Sequence, residues 1–138
     1  MRGVRAQVSM EYLLTMGFVL LITIPLLSLY FTETSRLSDT MTSVATERAA
    51  AMLTQAADTV YYLGAPSKRT VIINLPDNVR GVEFSGQALI FNVTTFGGDS
   101  QVAAWSVANL TGNFSVSPGP HRIVVEALEN SLVNVTEQ

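Results

Sequence analysis

The chain has 138 residues, of which 48% are hydrophobic and only 14% charged, against roughly 25% charged in an ordinary soluble domain. Eight basic and eleven acidic side chains give a net charge of −3, which leaves no basic footprint for nucleic acid. Cysteine is absent and His121 is the single histidine, so disulfides, thiolate metal sites and cysteine nucleophiles are excluded.

The apolar excess lies near the start. From Tyr12 to Phe31 no side chain is charged, and about 20 such residues match the hydrocarbon thickness of a bilayer. Arg2 and Arg5 precede this run and Glu33 follows it, so the positive-inside rule places the N-terminus in the cytoplasm and the rest outside. A secretory signal peptide has a shorter apolar region and a small-residue cleavage site behind it; Tyr30 and Phe31 stand there instead, as interfacial aromatics do. Pro25 removes the amide that would bond the Leu21 carbonyl, which predicts a kink or local melting over 21–25. It serves either a special purpose or simply a bent anchor. Thr23 and Ser28 can bond freed carbonyls.

Helical spacing continues beyond the apolar run. Leu37, Met41, Val44, Arg48, Ala51, Met52, Gln55, Thr59, Val60 and Leu63 recur at three and four residues, predicting one thin stripe, with Asp39, Glu47 and Asp58 on the opposite face. Gly64-Ala65-Pro66 is a stop signal. A helix over 7–63 would be on the order of 85 Å long, about half of it outside the membrane.

Beyond Pro66 the period becomes alternating. Strands are predicted at Arg69–Leu75, Ala88–Thr94, Val102–Val107, Asn113–Val116, His121–Glu126 and Ser131–Thr136, separated by turn signals that include Gly97-Gly98-Asp99 and Thr111-Gly112. The expected fold class is therefore α+β: a long N-terminal transmembrane and stem helix followed by a small antiparallel sandwich-like head over 64–138. So small a head needs a packing partner, and the upper stem is the available one.

Catalytic chemistry finds little support. His121 starts a predicted strand and is expected at an exposed strand edge, without metal-ligand partners. Asp77, Glu83, Asp99, Glu126 and Glu129 are scattered, which suggests a solvated face rather than an acid–base pair. Gly97-Gly98-Asp99 lacks the helix and lysine of a phosphate cradle, and Ser9 and Ser115 lack a nucleophile elbow. No enzyme activity, metal or cofactor is expected. Asn92, Asn109, Asn113 and Asn134 each begin an Asn-x-Ser/Thr triplet; these are N-glycosylation acceptors or ordinary strand and turn residues.

The informative motif precedes the apolar run: Arg5-Ala6, then Gln7-Val8-Ser9-Met10-Glu11-Tyr12-Leu13-Leu14. It resembles the class III signal peptide of archaeal type IV pilin-like proteins. The resemblance implies removal of a basic leader, residues 1–6, by a prepilin peptidase cutting between Ala6 and Gln7. Gln7, Ser9 and Glu11 match the first, third and fifth positions of the pattern Q-x-S-x-E-x-x-x-L. Thr15 stands at the ninth, with Leu14 one place early, and Ala6 replaces the frequent glycine before the cut. Leader removal takes two arginines and leaves a balance of −5.

Two roles are open to Glu11. A carboxylate suits a helix start; in the resembling family the matching glutamate pairs with a neighbour's new α-amino group, here that of Gln7, inside an apolar filament core where a lone charge is costly. Helices extracted from lipid would cover Phe18, Leu21, Ile24 and Leu27 against one another. The resemblance thus implies a structural surface-filament subunit that is membrane-bound before assembly, with Asn92, Asn109, Asn113 and Asn134 as its candidate glycan acceptors. Its partners would be copies of itself or related pilins, the prepilin peptidase, an assembly ATPase and a membrane platform protein. A minor pilin that initiates or tips a filament, and an uncleaved anchored β-domain that binds or senses a ligand, are the alternatives.

Overall fold

The computed structural model describes the backbone from Gly3 to Gln138 and side chains from Val8 onward. The described residues form one helix, α1 (Gly3–Leu63), and the strands β1 (Lys68–Leu75), β2 (Val79–Ser85), β3 (Ala88–Thr95), β4 (Gly98–Trp105), β5 (Asn109–Asn113), β6 (Gly119–Ala127) and β7 (Leu132–Glu137). A long apolar helix followed by a β-rich head is the expected α+β class. Contacts divide the chain into two compact units between Ser38 and Asp39, inside α1 rather than at Gly64.

In the first unit every side chain from Val8 to Thr34 is exposed, including Phe18, Leu21, Ile24 and Leu27. By length and composition α1 is able to cross a membrane. Its hydroxyls turn back onto the helix: Thr15 donates to the Glu11 carbonyl at 2.9 Å, Thr23 to Val19 at 2.7 Å, Thr32 to Ser28 at 2.9 Å and Thr34 to Tyr30 at 2.9 Å. Such bonds satisfy polar groups that lipid cannot. The local melting expected over 21–25 does not occur, because α1 is helical through Pro25. Thr23 bonds the Val19 carbonyl and not that of Leu21.

In the second unit the strands make two sheets, ordered β1-β6-β7-β5 and β2-β3-β4. Strand alternation sends Ile73 and Leu75, Leu89, Phe91 and Val93, Ile123 and Val125, and Val133 and Val135 into one core. The head is not purely antiparallel, since β5 runs parallel to β7 with Asn109 opposite Leu132 and Asn113 opposite Thr136. Within β5, Gly112 has φ +140°, and a Cβ there would run into the Val135 backbone. Thr111-Gly112 is therefore not a turn but a place where two strands approach too closely for any side chain. The predicted strand over 113–116 belongs instead at 109–113, the one over 102–107 begins at Gly98, and β2 was not expected.

The predicted stem stripe is also corrected. Leu37, Met41, Val44 and Leu63 are exposed, whereas Thr42, Thr46, Ala49, Ala50, Leu53, Ala57 and Val60 are buried. The residues from Ala49 to Val60 join the strands in one apolar cluster. Leu53 and Val60, the latter a member of the predicted stripe, supply the large buried side chains of this face, and alanines and threonines fill the rest of it. Asp39 and Asp58, expected to face away, accept hydrogen bonds from the head. Both Asp39 oxygens receive the Phe96 amide at 3.0 and 3.1 Å. Asp58 Oδ1 receives the Ser106 hydroxyl at 2.6 Å and the Val107 amide at 2.9 Å. Phe96 and Val107 bracket β4, so this stretch of α1 is fastened at both ends of that strand. The stop at Gly64 is as expected: with φ +76°, its amide donates to the Val60 carbonyl at 3.0 Å.

Candidate functional site

At the N-terminal motif the side chains of Arg5, Ala6 and Gln7 lie outside the described residues, so the expected cleavage site does too. Ser9 and Glu11 are exposed on α1. Beyond them Phe18, Leu21, Ile24 and Leu27 are 62%, 68%, 64% and 51% exposed, and three-residue spacing carries them round the helix rather than along one stripe. A helix that is apolar on every side requires an apolar surrounding, whether lipid or other helices.

The head holds a second group of interacting side chains, and the sequence did not disclose it. His121, expected at an exposed edge, is 5% exposed. Its inward position follows from alternation along β6, where His121, Ile123 and Val125 share a face. The ring Nδ1 lies 2.6 Å from Glu137 Oε1 and Nε2 lies 2.6 Å from the Ser117 carbonyl oxygen. Ser115 donates its amide to Glu137 Oε2 at 2.9 Å. A backbone carbonyl and a carboxylate both only accept, so the pair of short contacts is satisfied when both ring nitrogens carry protons. Burial opposes the ring's charge, but the Glu137 hydrogen bond, the Ser117 carbonyl and the Glu137 charge outweigh it and raise the His121 pKa above its usual 6.5. The same His121 bond, helped by the Ser115 amide, holds Glu137 below its usual 4.5.

Ser117 Oγ stands 3.4 Å from Nε2, which resembles a nucleophile beside a base. The chemistry does not follow, because the 2.6 Å contact with the Ser117 carbonyl oxygen commits Nε2 as a donor and leaves it no lone pair for the hydroxyl proton. The cluster instead ties the segment between β5 and β6 to the C-terminal strand. Glu137 lies sixteen residues from His121, and no local pattern announced it.

The remaining acids are less idle than a solvated face suggests. Glu126 pairs with Lys68 at 2.9 Å across β6 and β1. On β3, Asn92 donates through Nδ2 to Glu83 at 3.1 Å and accepts from Gln101 at 3.0 Å. Thr94 donates to Asp99 at 3.0 Å. Among the candidate glycosylation residues, Asn109 and Asn113 are exposed on β5, while Asn134 and Asn92 are half-buried; the Asn92 nitrogen is the one already bonded to Glu83.

Comparison of the chain with family models, with curated proteins and with solved structures finds no match.

Proposed function

We propose that this chain is a pilin-like structural subunit, processed between Ala6 and Gln7 and polymerised through α1 into a surface filament. The observation that carries the reading is the exposed, uncharged and mostly apolar surface over 12–31, directly behind the Gln7-x-Ser9-x-Glu11 motif. Lipid covers that surface before assembly, and neighbouring helices cover it afterwards. Cleavage creates the α-amino group of Gln7, which neutralises a neighbour's Glu11 in the filament core. The prepilin peptidase, an assembly ATPase and a platform protein supply the processing and extrusion, and the heads coat the filament with whatever glycans Asn109, Asn113 and the other acceptors carry.

The test is the N-terminal mass of native protein extracted from membranes and from sheared surface material. A chain beginning at Gln7 supports the proposal. A chain that keeps residues 1–6 replaces it with an uncleaved anchored β-domain. In a processed chain, Glu11→Ala is expected to leave membrane insertion intact while lowering filament yield by roughly tenfold or more, since one buried charge loses its partner.

A further inference from the structure

The outward face of the β2-β3-β4 sheet is unusually organised for an exposed surface. Asn92 stands at its centre, bonded to Glu83 on β2 and to Gln101 on β4. One step along, Arg80 Nε donates to Thr94 Oγ1 at 3.4 Å and Thr94 donates to Asp99. Two polar rows therefore cross the sheet, each linking three side chains by hydrogen bonds. Gly81 lies opposite Asn92 in the β2–β3 register and has no side chain, so the floor stays low on that side. Ala103 keeps it low on the other. A groove of about 620 Å³ opens here, lined in part by Arg80, Asn92, Thr94, Asp99, Ser100 and Gln101, a volume in the range of small-ligand sites.

Alternation along β4 puts Asp99, Gln101, Ala103 and Trp105 on this same face. Trp105 is the chain's sole tryptophan, and it is 73% exposed. Four positions along β4 carry the chain from Gln101 to Trp105, about 13 Å at the strand rise, with the small Ala103 between them on that strand and Ile90 opposite Ala103 on β3.

From this juxtaposition we propose that the outer face of β2-β3-β4 binds a neutral oligosaccharide, with one sugar ring stacked on Trp105 and another held over Asn92 and Gln101. A sugar offers apolar C–H faces to an aromatic ring and hydroxyls that both donate and accept. The face supplies the ring and side-chain amides that do the same. Because the members of each polar row are already hydrogen-bonded to one another, little side-chain entropy is lost on binding. Glu83 and Asp99 outnumber Arg80, which disfavours anionic sugars and phosphates. The proposal is independent of the filament reading and stands equally for an anchored β-domain.

Trp105 is its own reporter. Full-length protein in an amine-oxide detergent, free of sugar headgroups, is titrated with maltotriose, cellotriose, mannotriose and tri-N-acetylchitotriose, with trigalacturonate as the anionic comparison. At least one neutral probe is expected to give a saturable change in Trp105 emission at millimolar concentration, and trigalacturonate a weaker one. Gln101→Ala, an exposed position, is expected to weaken binding about tenfold through its lost hydrogen bonds, with the far-ultraviolet spectrum unchanged. Ala103→Leu, which raises the floor, is expected to weaken it as well. Absence of saturation with all four neutral probes, equal binding by both variants, or a stronger response to trigalacturonate overturns the proposal.

Discussion

At His121 the two ring nitrogens face oxygens that have no proton to give, and this makes head stability depend on pH in a definite direction. The raised pKa of His121 means that its contribution is complete below about pH 6.5 and is lost as pH rises through the higher folded value. The lowered pKa of Glu137 means that its contribution is complete above about pH 4.5 and is lost as pH falls through the lower folded value. Thermal unfolding midpoints of the full chain are therefore expected to peak between these limits and to decline on the alkaline side. His121→Gln, which retains one hydrogen bond and has no titration, should flatten that alkaline decline; an unchanged profile would show that the ring carries no excess proton. Gly112 is constrained by a different physics, combining positive φ with the Val135 backbone where a Cβ would stand. Gly112→Ala is expected to destabilise the head by about 2 kcal/mol or more, read as a lower urea midpoint.

Among the elements, α1 decides most, because its second half adds Leu53, Val60 and four alanines to the core that the strands enclose. Asp58 fastens it beside β4 by accepting two hydrogen bonds on one oxygen. Asp58→Ala leaves the Ser106 hydroxyl and the Val107 amide without that partner, and a loss of about 1–3 kcal/mol is expected in chemical denaturation. Asp58→Asn, which keeps an acceptor, should recover part of it. The helix itself was legible in the sequence from its uncharged run and its Gly64 stop, and most strands from their alternation. Its packed face was not, since a stripe of Leu, Met and Val looks like core to any reading by residue size, while Ala49, Ala50 and Ala57 look like filler. β5 escaped because its Gly112 has the appearance of a turn, and only the parallel partner β7, some twenty residues later, explains why glycine stands inside a strand. The Glu83–Asn92–Gln101 row was invisible for the same reason: its members are nine residues apart and meet only through register.

At the scale of the molecule the chain joins two units with opposite solvent requirements. Residues 8–34 expose every side chain and include the apolar run over 12–31, whereas the unit from Asp39 onward encloses a core of its own. The low charge is common to both units, since five of the 38 residues before Asp39 and fourteen of the 100 from Asp39 onward are charged, so the apolar run alone does not account for it. A chain beginning at Asp39 retains the Asp39 and Asp58 attachments and the whole apolar cluster, and loses only the surface that demands lipid or neighbouring helices. It is expected to remain in the aqueous fraction without detergent, to unfold cooperatively, and to keep the pH profile set by His121 and Glu137. The full chain is expected to sediment with membranes at every salt concentration, because hydrophobic insertion, unlike ionic adsorption, is not screened. If the shortened chain aggregated or lost its β signature, residues before Asp39 would be supplying structure to the head. If the full chain were released from membranes by salt alone, the apolar surface over 12–31 would not be embedded, and both the anchored and the filament-forming readings would lose their physical basis.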